Sequence, residues 1–189
     1  MLMASRNHKF APLEFYHCFN RGVEKRDIFM DRNDYYYFLK SLKSYNTYLS
    51  QGSLLRYTAP KDPLVSIVSY NLLPNHYHLV LQELKDSGIS TLMKRLATGY
   101  TMYFNQKYNR SGGLFQGAFK SRHIVSDQDL LQVISYVDFN HIIHNLQTPD
   151  KFMSCLSDPE VSRGRTSTPT KRFSLEVVDI IKKQRLDLE

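Results

Sequence analysis

Apolar and polar positions change period several times along the 189 residues, and each change marks an element. Residues 14–19 are dense in Phe and Tyr and predict a strand, which runs into a charged, glycine-containing loop at 20–26. Asp31 or Asn33 can then cap a helix carrying Tyr35, Tyr36, Phe38, Leu39, Leu42 and Tyr45 at helical spacing. Residues 52–63 read as a loop. Residues 64–73 alternate loosely and predict a second strand, paired through a Pro74-Asn75 turn with a third at 76–82. In that third strand His76, His78 and Val80 fall on one face, and Tyr77, Leu79 and Leu81 on the other.

The pattern then returns to a helical period. Leu92, Met93, Leu96, Tyr100, Tyr103 and Phe104 form one stripe of a helix that starts near Ser87 or Ser90. It stops before the hinge Asn109-Arg110-Ser111-Gly112-Gly113, and residues 114–125 read as extended. Ser126-Asp-Gln-Asp129 has the form of a capping box. The helix behind it is expected to run to about Asn145, with Leu130, Val133 or Ile134, and Val137 as its apolar stripe. Residues 157–172, rich in Ser, Thr, Pro, Arg and Gly, read as a linker, and residues 173–188 as a short terminal helix. The order of elements predicts an α+β domain with helices packed on an antiparallel sheet over residues 1–150, and a linker with a helical tail over 151–189.

Charge changes this picture through its location. Of the net +7, most lies between Lys85 and Val125, where Lys85, Lys94, Arg95, Lys107, Arg110, Lys120 and Arg122 face only Asp86. Such clustering favours a phosphate-contacting surface over a general solubility device. The 13 Tyr and 11 Phe supply rings able to stack on bases, although most must serve the core. Two cysteines, Cys18 and Cys155, suggest neither a disulfide framework nor a zinc finger, and a reduced, cytoplasmic setting fits. No apolar run follows the polar, basic start, so no signal peptide is expected, and no run of apolar residues is long enough to span a membrane.

The residues able to do chemistry sit in two places. His76 and His78 point the same way from one strand and can chelate a metal ion if a third ligand arrives. Tyr136 and Asn140 are four apart, one turn above another on the last helix. A tyrosine hydroxyl can attack phosphorus, and an asparagine amide oxygen is a hard ligand. No serine or cysteine lies in a nucleophile motif, and no acidic cluster suits a two-metal nuclease. Phenols ionise near pH ~10, so attack at neutral pH needs a metal or a base to help remove the proton. Taken alone, each of these pairs is better explained by core packing and local hydrogen bonds.

Five separated stretches weigh against that explanation: Tyr16-His-Cys-Phe-Asn-Arg-Gly-Val23, Leu73-Pro-Asn-His-Tyr-His-Leu-Val80, Gly99-Tyr-Thr-Met-Tyr-Phe-Asn105, Gly113-Leu-Phe-Gln-Gly117 and Tyr136-x-x-x-Asn140. In this order they resemble the single-tyrosine HUH transposases of the IS200-like family, in the branch associated with repetitive extragenic palindromes (REP). The resemblance covers about residues 14–145. It implies an RRM-like (ferredoxin-like) core with the histidines on a central strand and the tyrosine on a C-terminal helix. It implies a divalent metal, Mg²⁺ or Mn²⁺, held by His76, His78 and Asn140. It also implies cleavage of single-stranded DNA beside a hairpin, with Tyr136 forming a 5′-phosphotyrosine and releasing a 3′-hydroxyl. Arg21, Lys25 and Arg26, with Lys94, Arg95, Lys107, Arg110, Lys120 and Arg122, are the candidates for holding the DNA backbone. Tyr100, Tyr103 and Tyr108 are rival tyrosines; Tyr100 and Tyr103 read as core, and Tyr108 as a DNA contact beside the hinge. Monomer and homodimer both stay open.

The sequence departs from the family pattern at His141, where proline usually follows the asparagine, and His144 lies two turns beyond Tyr136. The competing function is a non-catalytic RRM-like module that binds single-stranded nucleic acid. A nucleotide hydrolase with a His-x-His-x-His triad fits poorly, since Val80 stands at the third position.

Overall fold

The structure, a computed structural model, describes residues 9–47, 62–140 and 153–154. Five strands form one antiparallel sheet: β1 (Phe15–Arg21), β2 (Val65–Leu73), β3 (His76–Glu83), β4 (Lys120–Ile124) and β5 (Met153–Ser154), in the order β4-β1-β3-β2-β5. Among the described residues three α-helices accompany them: α1 (Arg32–Tyr45), α2 (Gly88–Lys107) and α3 (Asp127–Asp138). The first six elements run β-α-β-β-α-β with strand order 4-1-3-2, the ferredoxin-like arrangement. The expected α+β class holds.

The alternation of β3 is what separates the two layers. Tyr77, Leu79 and Leu81 join Tyr16, Cys18, Tyr70 and Leu72 in the main core, which α1 and α2 cover with Phe38, Leu42, Leu92, Leu96, Tyr100 and Phe104. Val80 points the other way into a smaller cluster with Ile124 and with Val133, Ile134 and Val137 of α3. The helix stripes predicted from spacing are the buried ones except at Tyr36, which is exposed because it lies off the core-facing side of α1, with Tyr45, Tyr103 and Leu130 packed at the margins.

The helix starts follow local chemistry. Asp31 and Asp34 form a reciprocal capping box at α1. Ser87 precedes α2 but caps nothing with its side chain; the buried Glu83 carboxylate at the end of β3 instead accepts from the Gly88 and Ile89 amides. Ser126 accepts from the Asp129 amide as expected, while the Asp129 carboxylate turns away to Arg122 and the Val125 amide.

One boundary differs from the sequence reading. Residues 114–119 are not strand. They form a loop bridged to the end of β1 through Gly22 and Phe115, and Gly117 at φ 134° breaks the extended run. Helix α3 ends at Asp138 with Phe139 as its C-cap; Asn140 is helical again, and the expected end near Asn145 lies outside the described residues. Met153 and Ser154 pair with Leu72 and Asn71, so two residues from the expected tail sit at the sheet edge. The rest of the linker and terminal helix, most of the 52–63 loop, and His141 and His144 lie outside the described residues.

Candidate active site

The β1–β3 register sets opposite one another Arg21 and His76, Phe19 and His78, and His17 and Val80. All six side chains therefore share the face of the sheet on which α3 packs. On the far side of β1, Lys120 pairs with Phe19 and Arg122 with His17, so both cations belong to this face too.

Helix α3 is fixed over the face at its C-terminal end. Ser69 of β2 donates to a carboxyl oxygen of Asp138, and the Asn71 amide donates to the Val137 carbonyl at 2.8 Å. Tyr136 directly precedes the two anchored residues of α3. Its ring meets those of His78 and His17 edge-on, with centroids 5.6 and 6.0 Å apart. It remains 45% exposed, so the same side chain touches the site and solvent.

The two histidines of β3 lie with ring centroids 5.1 Å apart. Asn75 donates from its side-chain nitrogen to the Lys25 carbonyl, which turns its Oδ1 toward His76 Nδ1 at 2.6 Å. His76 then carries its proton on Nδ1, and Nε2 holds the lone pair. His78 Nδ1 is likewise engaged, 2.9 Å from Nε2 of His17. His17 is buried, and its pKa is lowered to about 4, chiefly by that burial and then by the Arg122 charge.

Asn140 lies just past the C-terminus of α3 and is fully buried, yet neither its amide nitrogen nor its oxygen has a hydrogen-bond partner among the described residues. A buried amide with nothing to bond to is costly, and one that waits for a ligand is a common reason to find it. Among the described residues no three His, Cys, Asp or Glu side chains converge for a metal. A cation here would thus rely on two imidazoles and an amide oxygen, a mixed set with room left for phosphate oxygens. The orphaned amide fits that set.

The basic candidates divide between two sides of the molecule. Arg21, Lys120 and Arg122 share the histidine face, and Lys25 and Arg26 occupy the loop joined to the Pro74-Asn75 turn beside it. Lys94, Arg95 and Lys107 are on α2, which packs against the opposite face. Arg95 donates to the Tyr45 and Thr47 carbonyls. Lys107 bridges Asp31 and the fully buried Asp34, and these carboxylates hold its ammonium well above the usual lysine range despite the opposing effect of burial. Arg110 closes the hinge by bonding Asn105 and Gly113.

The rival tyrosines are committed elsewhere. Tyr100 donates to the Ile28 carbonyl, and both Tyr103 and Tyr108 donate to Asp34. The expected DNA contact at Tyr108 is therefore an internal hydrogen bond on the α1–α2 layer. His17 is the site residue that sequence reading passed over. It stood inside the first quoted motif, but only the strand register shows which face it shares.

Residues 53–140 match the family model described as "Transposase IS200 like". The resemblance to IS200-like transposases holds. The matched segment contains His76, His78, Tyr136 and Asn140, and it leaves out β1 with His17. The fold is similar to that of a REP-associated tyrosine transposase solved bound to a REP hairpin, with a TM-score of 0.57 and 14% identity over 86% of this chain and 87% of that one. No curated protein matches the chain.

Proposed function

We propose that the chain is a metal-dependent single-stranded DNA endonuclease and strand transferase that acts at hairpin DNA through Tyr136. The observation that carries this reading is the half-exposed Tyr136 standing edge-on to His78, beside a second histidine of the same strand; the orphaned amide of Asn140, four residues after Tyr136, is consistent with it. The IS200-like match and the fold shared with a hairpin-bound transposase support it.

His76, His78 and Asn140 would hold Mg²⁺ or Mn²⁺. Bound there, such an ion supplies Lewis acidity that polarises a phosphate oxygen and favours loss of a nearby proton. Arg21, Lys120 and Arg122 position the DNA backbone across the site face, with Lys25 and Arg26 at its edge. The half-exposed Tyr136 hydroxyl passes its proton to solvent water, and its oxygen attacks the scissile phosphorus. The bond from phosphorus to O3′ breaks, its electron pair stays on O3′, and protonation yields a 3′-hydroxyl. The phosphate remains on the tyrosine as a 5′-phosphotyrosine. Attack by another 3′-hydroxyl reverses the step and joins a new strand without ATP. The anchored α3 keeps the phenol near the phosphate, which makes the attack effectively unimolecular.

Covalent capture tests this. Protein mixed with Mn²⁺ or Mg²⁺ and single-stranded hairpin DNA from its own genomic flanks should give a DNA-linked band on a denaturing gel. The band should require metal and vanish in Tyr136→Phe. Tight binding of the same DNA with no band would favour the non-catalytic binding module.

A further inference from the structure

His17 is the group that best extends this reading. We propose that His17 is a positioning residue that locks His78 in the tautomer able to ligate a metal through Nε2. The inference rests on the metal site proposed above, but its geometry is independent of any ion. His17 and His78 are both buried, on neighbouring strands, and their Nε2 and Nδ1 atoms are 2.9 Å apart. Two neutral imidazoles can share that contact in only two ways. If His78 donates from Nδ1, its lone pair is on Nε2; if His17 donates, the His78 proton moves to Nε2 and the ring cannot ligate through it. The His76 ring beside it is held by the Asn75 oxygen with its proton on Nδ1. A shared ion therefore requires the first arrangement at His78, with His17 keeping its own proton on Nδ1.

Ring packing reinforces the choice. His17 and His78 lie nearly parallel, with an interplanar angle of 26°, and Phe19 sits against both rings. Rotation of His78 would break the hydrogen bond and both ring contacts together. An imidazole ligand whose second nitrogen is held in this way keeps its orientation and basicity, and losing the partner typically weakens metal binding roughly 10- to 100-fold. The arrangement uses a histidine where many sites use a carboxylate. It holds the ligand without adding negative charge next to the DNA phosphate.

The test uses the whole protein and two readouts. In the first, long-range ¹H–¹⁵N spectra of the metal-free protein near neutral pH read which nitrogen of His78 carries the proton. The wild type should show Nδ1–H; His17→Phe, which keeps ring area but removes the acceptor, should shift His78 toward Nε2–H. His17→Gln, whose side-chain oxygen can accept the same proton, should restore Nδ1–H. In the second, Mn²⁺ titration followed by electron paramagnetic resonance should show binding roughly 10- to 100-fold weaker in His17→Phe, with His17→Gln within a few-fold of wild type. His17→Leu replaces the Phe variant if circular dichroism shows that the latter is not folded. Nε2–H at His78 in the wild type, or a folded acceptor-free variant with unchanged tautomer and Mn²⁺ affinity, overturns the inference. Equal Mn²⁺ binding by wild type and His78→Ala would instead sink the metal reading, and the metal-free spectra would still judge His17.

Discussion

Ser69 and Asp138 are joined by a hydrogen bond of 2.5 Å between the middle of β2 and the last residue of α3, two positions beyond Tyr136. Asp138 is buried and its pKa is raised to about 6, chiefly by desolvation, with the Ser69 bond pulling the other way. The ordinary value is 3.8, so the folded state binds a proton more readily than the unfolded chain between those limits. Stability should then fall as pH rises from about 4 to 6 and carry the full penalty above that.

Asp138→Asn should remove this penalty, since an amide oxygen can still accept from Ser69. The variant should match wild type near pH 4 and exceed it at pH 7 by on the order of 2 kcal/mol. Urea denaturation at several pH values measures the difference. Parallel curves for the two proteins would show that the carboxylate is not held at a cost.

The tyrosines divide by what their hydroxyls already do. Tyr100→Phe, Tyr103→Phe and Tyr108→Phe should each retain covalent capture of DNA. Each should lose about 1 kcal/mol of stability, because an internal hydrogen bond is broken. Only Tyr136→Phe should abolish the covalent band while leaving stability nearly unchanged. Gel capture and thermal melting on the same four proteins provide the comparison, and loss of the band in Tyr108→Phe alone would move the nucleophile.

The basic residues should separate in the same manner. Lys107→Met leaves the buried Asp34 without its cation and should cost on the order of 3 kcal/mol, with little change in how DNA affinity depends on salt. Lys120→Ala should leave stability almost unaltered and lower the slope of log affinity against log salt by about 1. Fluorescence anisotropy across a salt series measures those slopes. A reduced slope in Lys107→Met would mean that its ammonium leaves Asp34 for phosphate.

These contrasts mark where sequence pattern stops being informative. The two faces of β3 were legible because alternation follows the backbone itself, and the stripes of α1 and α2 because burial selects every third or fourth residue. Lys107 and Lys120 look alike in a charge profile. Only the packing of α2 against the far side of the sheet, and the capping carboxylates of α1, tell an ion pair from an exposed cation. The break after Asp138 was illegible because the apolar helical pattern runs on past Phe139 in the sequence without a glycine or proline to mark the C-cap. His17 needed a partner strand before its parity had meaning. The family resemblance supplied what spacing could not, namely a reason to treat His76, His78, Tyr136 and Asn140 as one group.

Asn140 tests whether that group is arranged for stability or for a ligand. Its amide is fully buried with both polar atoms unpartnered among the described residues, which destabilises the protein without metal. Asn140→Leu, close in volume and free of polar atoms, should therefore raise the melting temperature of the metal-free protein, by the equivalent of about 1–2 kcal/mol. The same change should remove an oxygen donor, weaken Mn²⁺ binding and suppress covalent capture. Opposite signs for stability and metal affinity are the expected signature of a residue kept for a ligand. A variant that melts lower and binds Mn²⁺ as well as wild type would assign Asn140 to packing alone. Thermal melts with and without Mn²⁺ decide the matter directly, because the wild type should gain more from the ion than the variant does.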